Sequence, residues 1–143
     1  LAIVDYAHKP EALAAALDAC RPFATGKLIS VFGCGGDRDK GKRPIMGEIS
    51  VSKADVTIVT DDNPRSEDPD QIVAMIRSGM RAPERATVLR DRAVAIAAAL
   101  ASAGADDVVL IAGKGHEEYQ QTGAERRHFS DRLELRRLTG GAA

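Results

Sequence analysis

Four short stretches hold residue types that could do chemistry: "DYAHKP" (5–10), "GCGGDRDKGKRP" (33–44), "DDNPRSEDP" (61–69) and "GKGHEEY" (113–119). From Gly36 the second reads G-D-R-D-K-G-K-R, one residue short of the phosphate-cradling pattern G-x-x-x-x-G-K-[S/T]. Arg43 and Pro44 follow the lysine, so the Mg²⁺-binding hydroxyl is missing and one amide donor is lost. Asp37 and Asp39 would also set two carboxylates where phosphate oxygens should lie. The dinucleotide pattern G-x-G-x-x-G fails too, because Gly33 and Gly35 lead to Arg38 where glycine is needed. What the loop offers is Arg38, a guanidinium among acids that could orient it. Such a group is suited to gripping a carboxylate through two parallel hydrogen bonds.

"DDNPR" is the sharper motif. Pro64 pushes Asn63 out of the helical region, so a rigid turn presents Asp62, Asn63 and Arg65 together. A carboxylate, an amide and a guanidinium complement the ammonium and carboxylate of an amino acid. In "GKGHE", Gly113 and Gly115 permit close backbone approach, Glu117 could accept an ammonium, and Lys114 could meet a phosphate or carboxylate. His116 has no nucleophile and base beside it and reads as a hydrogen-bonding loop residue, so no catalytic residue and no metal ligand is expected. Taken singly, each stretch also fits ordinary loop chemistry: turn residues, solvated Asp–Arg pairs, or a capped approach to a helix.

Behind these stretches, strand-length apolar runs alternate with helical patterns. "LAIV" (1–4), "LISVF" (28–32), "VTIVT" (56–60), "TVL" (87–89) and "VVLIA" (108–112) read as strands. Pro10 opens a helix with Leu13, Ala16, Leu17 and Cys20 on one face, and a short helix is expected from about Pro44 to Lys53. Asp68-Pro69-Asp70-Gln71 reads as an N-cap, a first-turn proline and a capping-box partner for a helix burying Ile72, Met75, Ile76 and Gly79. A helix over 92–103 should turn Ile96, Ala97 and Leu100 inward; a small hairpin is expected around Gly123, a last helix from Ser130, and a fraying "TGGAA" tail. Continuous β-branched strands separated by helices predict a doubly wound, Rossmann-like α/β domain, its mostly parallel sheet covered on both faces. Such folds bind ligands beyond the carboxyl ends of their strands, where all four stretches fall; the fourth strand is followed only by "RDR".

The chain's 143 residues suit one domain with a real core, and its net charge of -1, with both signs interspersed, argues against nucleic-acid and membrane-surface partners. Cys20 and Cys34 stand in no zinc or redox spacing and read as free thiols of a reducing compartment. No apolar run approaches a membrane span. The opening "LAIVD" begins inside a strand, which suggests a piece of something longer.

Taken together and in order, "DYAHKPEAL", "VFGCGGDRDKGKRPIMGEIS", "VTDDNPRSEDP" and "VVLIAGKGHEEYQ…FSDR" resemble the C-terminal domain of the Mur ligases that add meso-diaminopimelate. The resemblance implies an ATP- and Mg²⁺-dependent peptide-bond-forming ligase of peptidoglycan synthesis in the bacterial cytoplasm, acting on UDP-MurNAc-L-Ala-D-Glu through an acyl phosphate. It implies that Arg38, Asn63, Arg65, Gly113 and Glu117 grip diaminopimelate, that Asp62 and Pro64 complete the turn, and that Asp5 and His8 lie near ATP. Residues 1–143 would form the C-terminal domain, with 1–10 leading in from the central domain. The UDP-binding and ATP-binding domains would be absent, and the chain alone inactive with no tightly held cofactor. Arg65 would be the selector, since lysine lacks the distal carboxylate and lysine-adding relatives typically lack this arginine. The alternatives are a lysine-adding ligase, a non-catalytic amino-acid-binding module and, against both failed fingerprints, a dinucleotide or redox domain.

Overall fold

The computed structural model describes residues 1–140. Strands β1 (Ala2–Asp5), β2 (Leu28–Phe32), β3 (Val56–Val59), β4 (Ala86–Val88) and β5 (Val108–Ala112) alternate with helices α1 (Pro10–Cys20), α2 (Lys42–Lys53), α3 (Pro69–Ser78) and α4 (Arg92–Ser102). A hairpin of β6 (Tyr119–Thr122) and β7 (Glu125–His128) precedes α5 (Asp131–Leu138). The five-stranded sheet is parallel throughout, in the order β1-β5-β2-β3-β4.

Side-chain alternation along the central strands builds two cores. Leu28 and Phe32 of β2 and Leu110 of β5 face α1, α2 and α3, meeting Leu17, Met46 and Ile76. Ile29, Val31, Val109 and Ile111 point the other way, onto Ala95, Ile96 and Ala99 of α4. Every residue of β2 and β5 is buried, which is why both read as unbroken apolar runs rather than alternating ones.

Several local expectations shift. Helix α2 begins at Lys42, two residues before Pro44, because the proline occupies a first-turn position whose N–H has no intrahelical partner anyway. Strand β4 ends at Val88, one residue short. In α3 the Asp68 cap accepts from the Asp70 amide, while Gln71 stays exposed and only Ile72, Val73 and Ile76 are buried. Helix α4 is rotated: Arg92, Ala95, Ile96 and Ala99 turn inward, and Ala97 and Leu100 are half-buried. Arg92, buried in an ion pair, stands on the same inward face as Ala95, Ile96 and Ala99, a placement that apolar spacing alone did not assign. The hairpin around Gly123 and the Ser130 cap of α5 form as expected. Of the "TGGAA" tail, Thr139 still bonds Leu135, and residues 141–143 lie outside the described residues.

Candidate substrate-binding site

Strand order does the assembling. Strands β1, β5, β2 and β3 are neighbours, so the four chemistry-bearing loops emerge side by side, while β4 and its "RDR" stand at the far edge. The chain leaves β2 for the α2 face and β5 for the α5 face, and a crevice opens where adjacent strands part in this way. A cavity of about 820 Å³ occupies that end of the sheet; His8, Arg38, Arg65, Gly113 and Glu117 all line it. Asp5, Asp62, Asn63 and Pro64 stand outside the lining.

The "DNPR" turn is held from three sides. Asn63 is 2% exposed; its Oδ1 accepts from Lys114 Nζ at 2.8 Å and from the Gln121 amide at 2.9 Å. Two donors on one oxygen fix the amide's orientation and turn Nδ2 toward Glu117 Oε1, 3.5 Å away. Arg65 takes a left-handed backbone, φ 52°, and is clamped there by the β6–β7 hairpin: its N–H donates to Gln121 O at 3.1 Å, and its carbonyl accepts from Gly123 N at 2.5 Å. The half-buried guanidinium then reaches across to donate from Nη1 to Gly36 O at 2.9 Å. Behind the turn, Gln120 Nε2 donates to Asp62 O at 2.8 Å.

The loop after β2 meets the same turn so closely that one position needs glycine. A Cβ on Gly36 would lie 1.8 Å from Pro64 O. Arg38 is exposed and donates to Asp37 O, not to a carboxylate. The acids expected to orient it serve the backbone instead: Asp37 accepts from Ser66, and Asp39 from the Gly41 amide. The buried guanidinium beside this loop is Arg43, in the first turn of α2, paired with Glu67 through Nη2–Oε1 at 2.8 Å and Nη1–Oε2 at 2.9 Å, and it donates also to Gly35 O. That pairing pulls the Glu67 carboxyl down to about 2, while Glu67 Oε1 also accepts from the Asp37 amide.

In the loop after β5, Lys114 corrects the reading of "GKGHE". Its side chain is fully buried, and Nζ donates to Asn63 Oδ1 and to Tyr119 O, so it is not free to meet a phosphate. Burial pulls its pKa down, and the carboxylates of Asp62 and Glu117, each 3.6 Å away, act against that fall. Gly113 has φ 116°, and a Cβ there would come within 2.7 Å of Asp62 Oδ2. Asp5 caps its own loop through the Ala7 amide, and His8 Nδ1 bonds Tyr6 O. His116 lies against Tyr6, with ring centroids 5.5 Å apart.

Sequence reading missed Arg92. It sits in the "RDR" set aside at the sheet edge, yet it is fully buried and paired with the equally buried Asp131 through two bonds of 2.7 Å. It donates further to Asp61 O and Ala112 O, tying together the carboxyl ends of β3 and β5. The nearest sequence signal was "FSDR" (129–132), whose Asp131 follows an N-cap serine and looks like helix-dipole chemistry. Among the described residues no cluster of His, Cys, Asp or Glu is placed to hold a metal ion, and no helix is long and apolar enough to cross a membrane. Both cysteines are free and buried, and burial pushes the Cys34 thiol up to about 12.

Comparison with known proteins agrees with this arrangement. The family described as Mur ligase, glutamate ligase domain, matches residues 1–115. A UDP-N-acetylmuramoyl-L-alanyl-D-glutamate–2,6-diaminopimelate ligase of Rhizobium meliloti is 58% identical over 141 residues, 99% of this chain and 28% of that protein. The ligase of the same name from Parasynechococcus marenigrum is 59% identical over 132 residues, 92% of this chain and 26% of that protein. The chain thus spans little more than a quarter of these curated relatives. A solved structure of a ligase so named superposes with a TM-score of 0.92 at 42% identity, covering 99% of this chain and 30% of that one. A Yersinia pestis folylpolyglutamate synthase/dihydrofolate synthase, solved with AMPPNP and Mn, shares the fold at 22% identity and a TM-score of 0.60, over 79% of this chain and 25% of that one. On the extent of these matches, the chain belongs to the Mur ligase family, in its glutamate ligase domain.

Proposed function

We propose that this chain is the amino-acid-binding C-terminal domain of an ATP-dependent ligase that adds meso-diaminopimelate to UDP-MurNAc-L-Ala-D-Glu in peptidoglycan synthesis, in the bacterial cytoplasm. Residues 1–143 would be one domain, with 1–10 arriving from a central ATP-binding domain and a UDP-binding domain preceding that. The observation that carries the reading is that Arg38, Arg65 and Glu117 line one cavity. Two guanidiniums and a carboxylate there complement the carboxylate and ammonium at the distal end of diaminopimelate.

Held by that end, the substrate would keep its other amine free to meet the activated D-Glu carboxyl. The amine nitrogen bonds to the acyl carbon, phosphate leaves with the C–O electron pair, and the amine gives up a proton. ATP supplies the phosphate of the acyl phosphate, and Mg²⁺ would offset its charge. Both are proposed to bind through the rest of the ligase, with Asp5 and His8 lying near ATP. This chain contributes grip and orientation: Gly113 shapes the wall, Asn63 braces Glu117 from behind it, and Asp62 and Pro64 hold the turn. Lysine would leave Arg65 without a carboxylate, and an unpaired cation in a partly desolvated wall is a strong ground for rejection.

Phosphate release by the full-length ligase, supplied with ATP, Mg²⁺, UDP-MurNAc-L-Ala-D-Glu and either amino acid, tests this. Turnover is expected with meso-diaminopimelate and far less with L-lysine. Equal turnover would remove Arg65 as selector and leave a lysine-adding ligase; no turnover with either would leave a non-catalytic binding module.

A further inference from the structure

Among the described residues Lys114 is the one fully buried ammonium, and every group it touches belongs to the candidate site or to the hairpin beside it. A lysine taken wholly out of water costs several kcal/mol unless its protons and charge are answered. Two of its protons go to Asn63 Oδ1 at 2.8 Å and Tyr119 O at 2.9 Å. Its charge stands 3.6 Å from both Asp62 Oδ1 and Glu117 Oε1.

We propose that Lys114 is a positioning residue for amino-acid recognition: through Asn63 it orients the Glu117 carboxylate at the cavity wall, and its cation balances Asp62 so that Glu117 remains to meet an ammonium. This inference rests on the proposed amino-acid site. The lever is the Asn63 amide. Because Lys114 and the Gln121 N–H both occupy Oδ1, Nδ2 can only face Glu117 Oε1, and the other carboxylate oxygen is left for a ligand. The charge count agrees. Lys114, Asp62 and Glu117 sum to one negative charge, and the buried Arg92–Asp131 pair nearby is neutral by itself. Without the lysine, both carboxylates would lose the ammonium that stands 3.6 Å from each, and the amide would lose the stronger of the two donors that hold its orientation. Asp62 is the partner that exposes this role, since its carboxylate makes no hydrogen bond among the described residues, only the 3.6 Å approach to Lys114.

The test is steady-state kinetics of the full-length ligase with Lys114→Met. KM for meso-diaminopimelate should rise about 30-fold, as for removal of one partner from a buried charged network, while kcat and the KM values for ATP and the UDP-dipeptide stay within about threefold. Adding Asp62→Asn to that variant restores the charge count and should recover roughly tenfold in KM. A lysine that merely stitched the loop to the hairpin would not be rescued by Asp62→Asn. If Lys114→Met fails to fold, Lys114→Gln, which keeps a donor for Asn63 but no charge, carries the same two comparisons. Unchanged KM for meso-diaminopimelate, a fall in kcat alone, or absence of rescue would overturn the inference. Wild-type enzyme indifferent to meso-diaminopimelate would overturn the functional reading itself, an outcome visible before any variant is made.

Discussion

Arg43 and Glu67 lie 24 residues apart and meet in two parallel hydrogen bonds, which join the start of α2 to the approach to α3. The guanidinium is fully buried and the carboxylate 15% exposed, and both also hold backbone of the loop after β2, at Gly35 O and the Asp37 N–H. The pair therefore fixes the loop that carries Arg38 against the turn that carries Arg65.

Glu67→Gln should destabilise the fold by roughly 3 kcal/mol near neutral pH, because it strands a buried guanidinium. The folded-state pKa of Glu67 is depressed from 4.5 to about 2, so the stabilisation is fully present above pH 4.5 and is lost as pH falls through about 2. Urea unfolding of both proteins across that range should show the gap narrowing toward acid. A gap that stayed constant would refute the assignment.

Asp131→Asn should cost about 3–5 kcal/mol, since Arg92 would remain charged without its fully buried partner. Replacing both, as Arg92→Met with Asp131→Leu, should cost less than Asp131→Asn alone. The carbonyls of Asp61 and Ala112 would still lose their donor, so some loss remains. Equilibrium denaturation of the single and double variants decides this.

Arg65→Ala in the full-length ligase should raise KM for meso-diaminopimelate about 100-fold and change that for L-lysine little, so selectivity collapses from one side only. Arg65→Lys should recover little of it, because an ammonium cannot donate both to Gly36 O and, as a planar fork, to a carboxylate. A parallel rise for both amino acids would mean that Arg65 serves the turn and not the ligand.

Gly36→Ala should separate two loops of the site. Its Cβ would overlap Pro64 O at 1.8 Å, a backbone atom held in a turn that cannot yield cheaply. A loss of about 2–4 kcal/mol is expected, with protection of the Gly36 amide, now bonded to Asn63 O at 2.8 Å, lost in hydrogen exchange. Gly123→Ala makes a control for handling glycine substitutions: a Cβ there meets nothing within 4 Å, and only the strain of φ 61° is charged, about 1 kcal/mol.

The strands were legible because burial on both faces leaves unbroken runs such as "LISVF" and "VVLIA", and the doubly wound class follows from runs of that kind alternating with helical spacing. The chemistry-bearing loops were legible because glycine, proline and paired charges at strand ends are unusual in combination. Arg65, Asn63 and Glu117 could be named from "DNPR" and "GKGHE" without a coordinate. Where polar residues were concerned, the sequence could state type but not duty. Arg38 and Arg43 are both arginines of the stretch 33–44, yet only burial separates the exposed one at the cavity from the one locked to Glu67. Arg92 looked like part of an ordinary loop leading into a helix because its partner lies 39 residues on, and pairing at that distance leaves no periodic trace. Lys114 looked like a ligand for anions until Asn63 and Asp62 of the loop after β3, and Glu117 of its own loop, claimed it. Local pattern determined which elements form, since period and turn chemistry act over a few residues. Tertiary structure decided which charges face the cavity and which are consumed in holding it, because desolvation and hydrogen-bond geometry depend on neighbours that only the folded chain supplies.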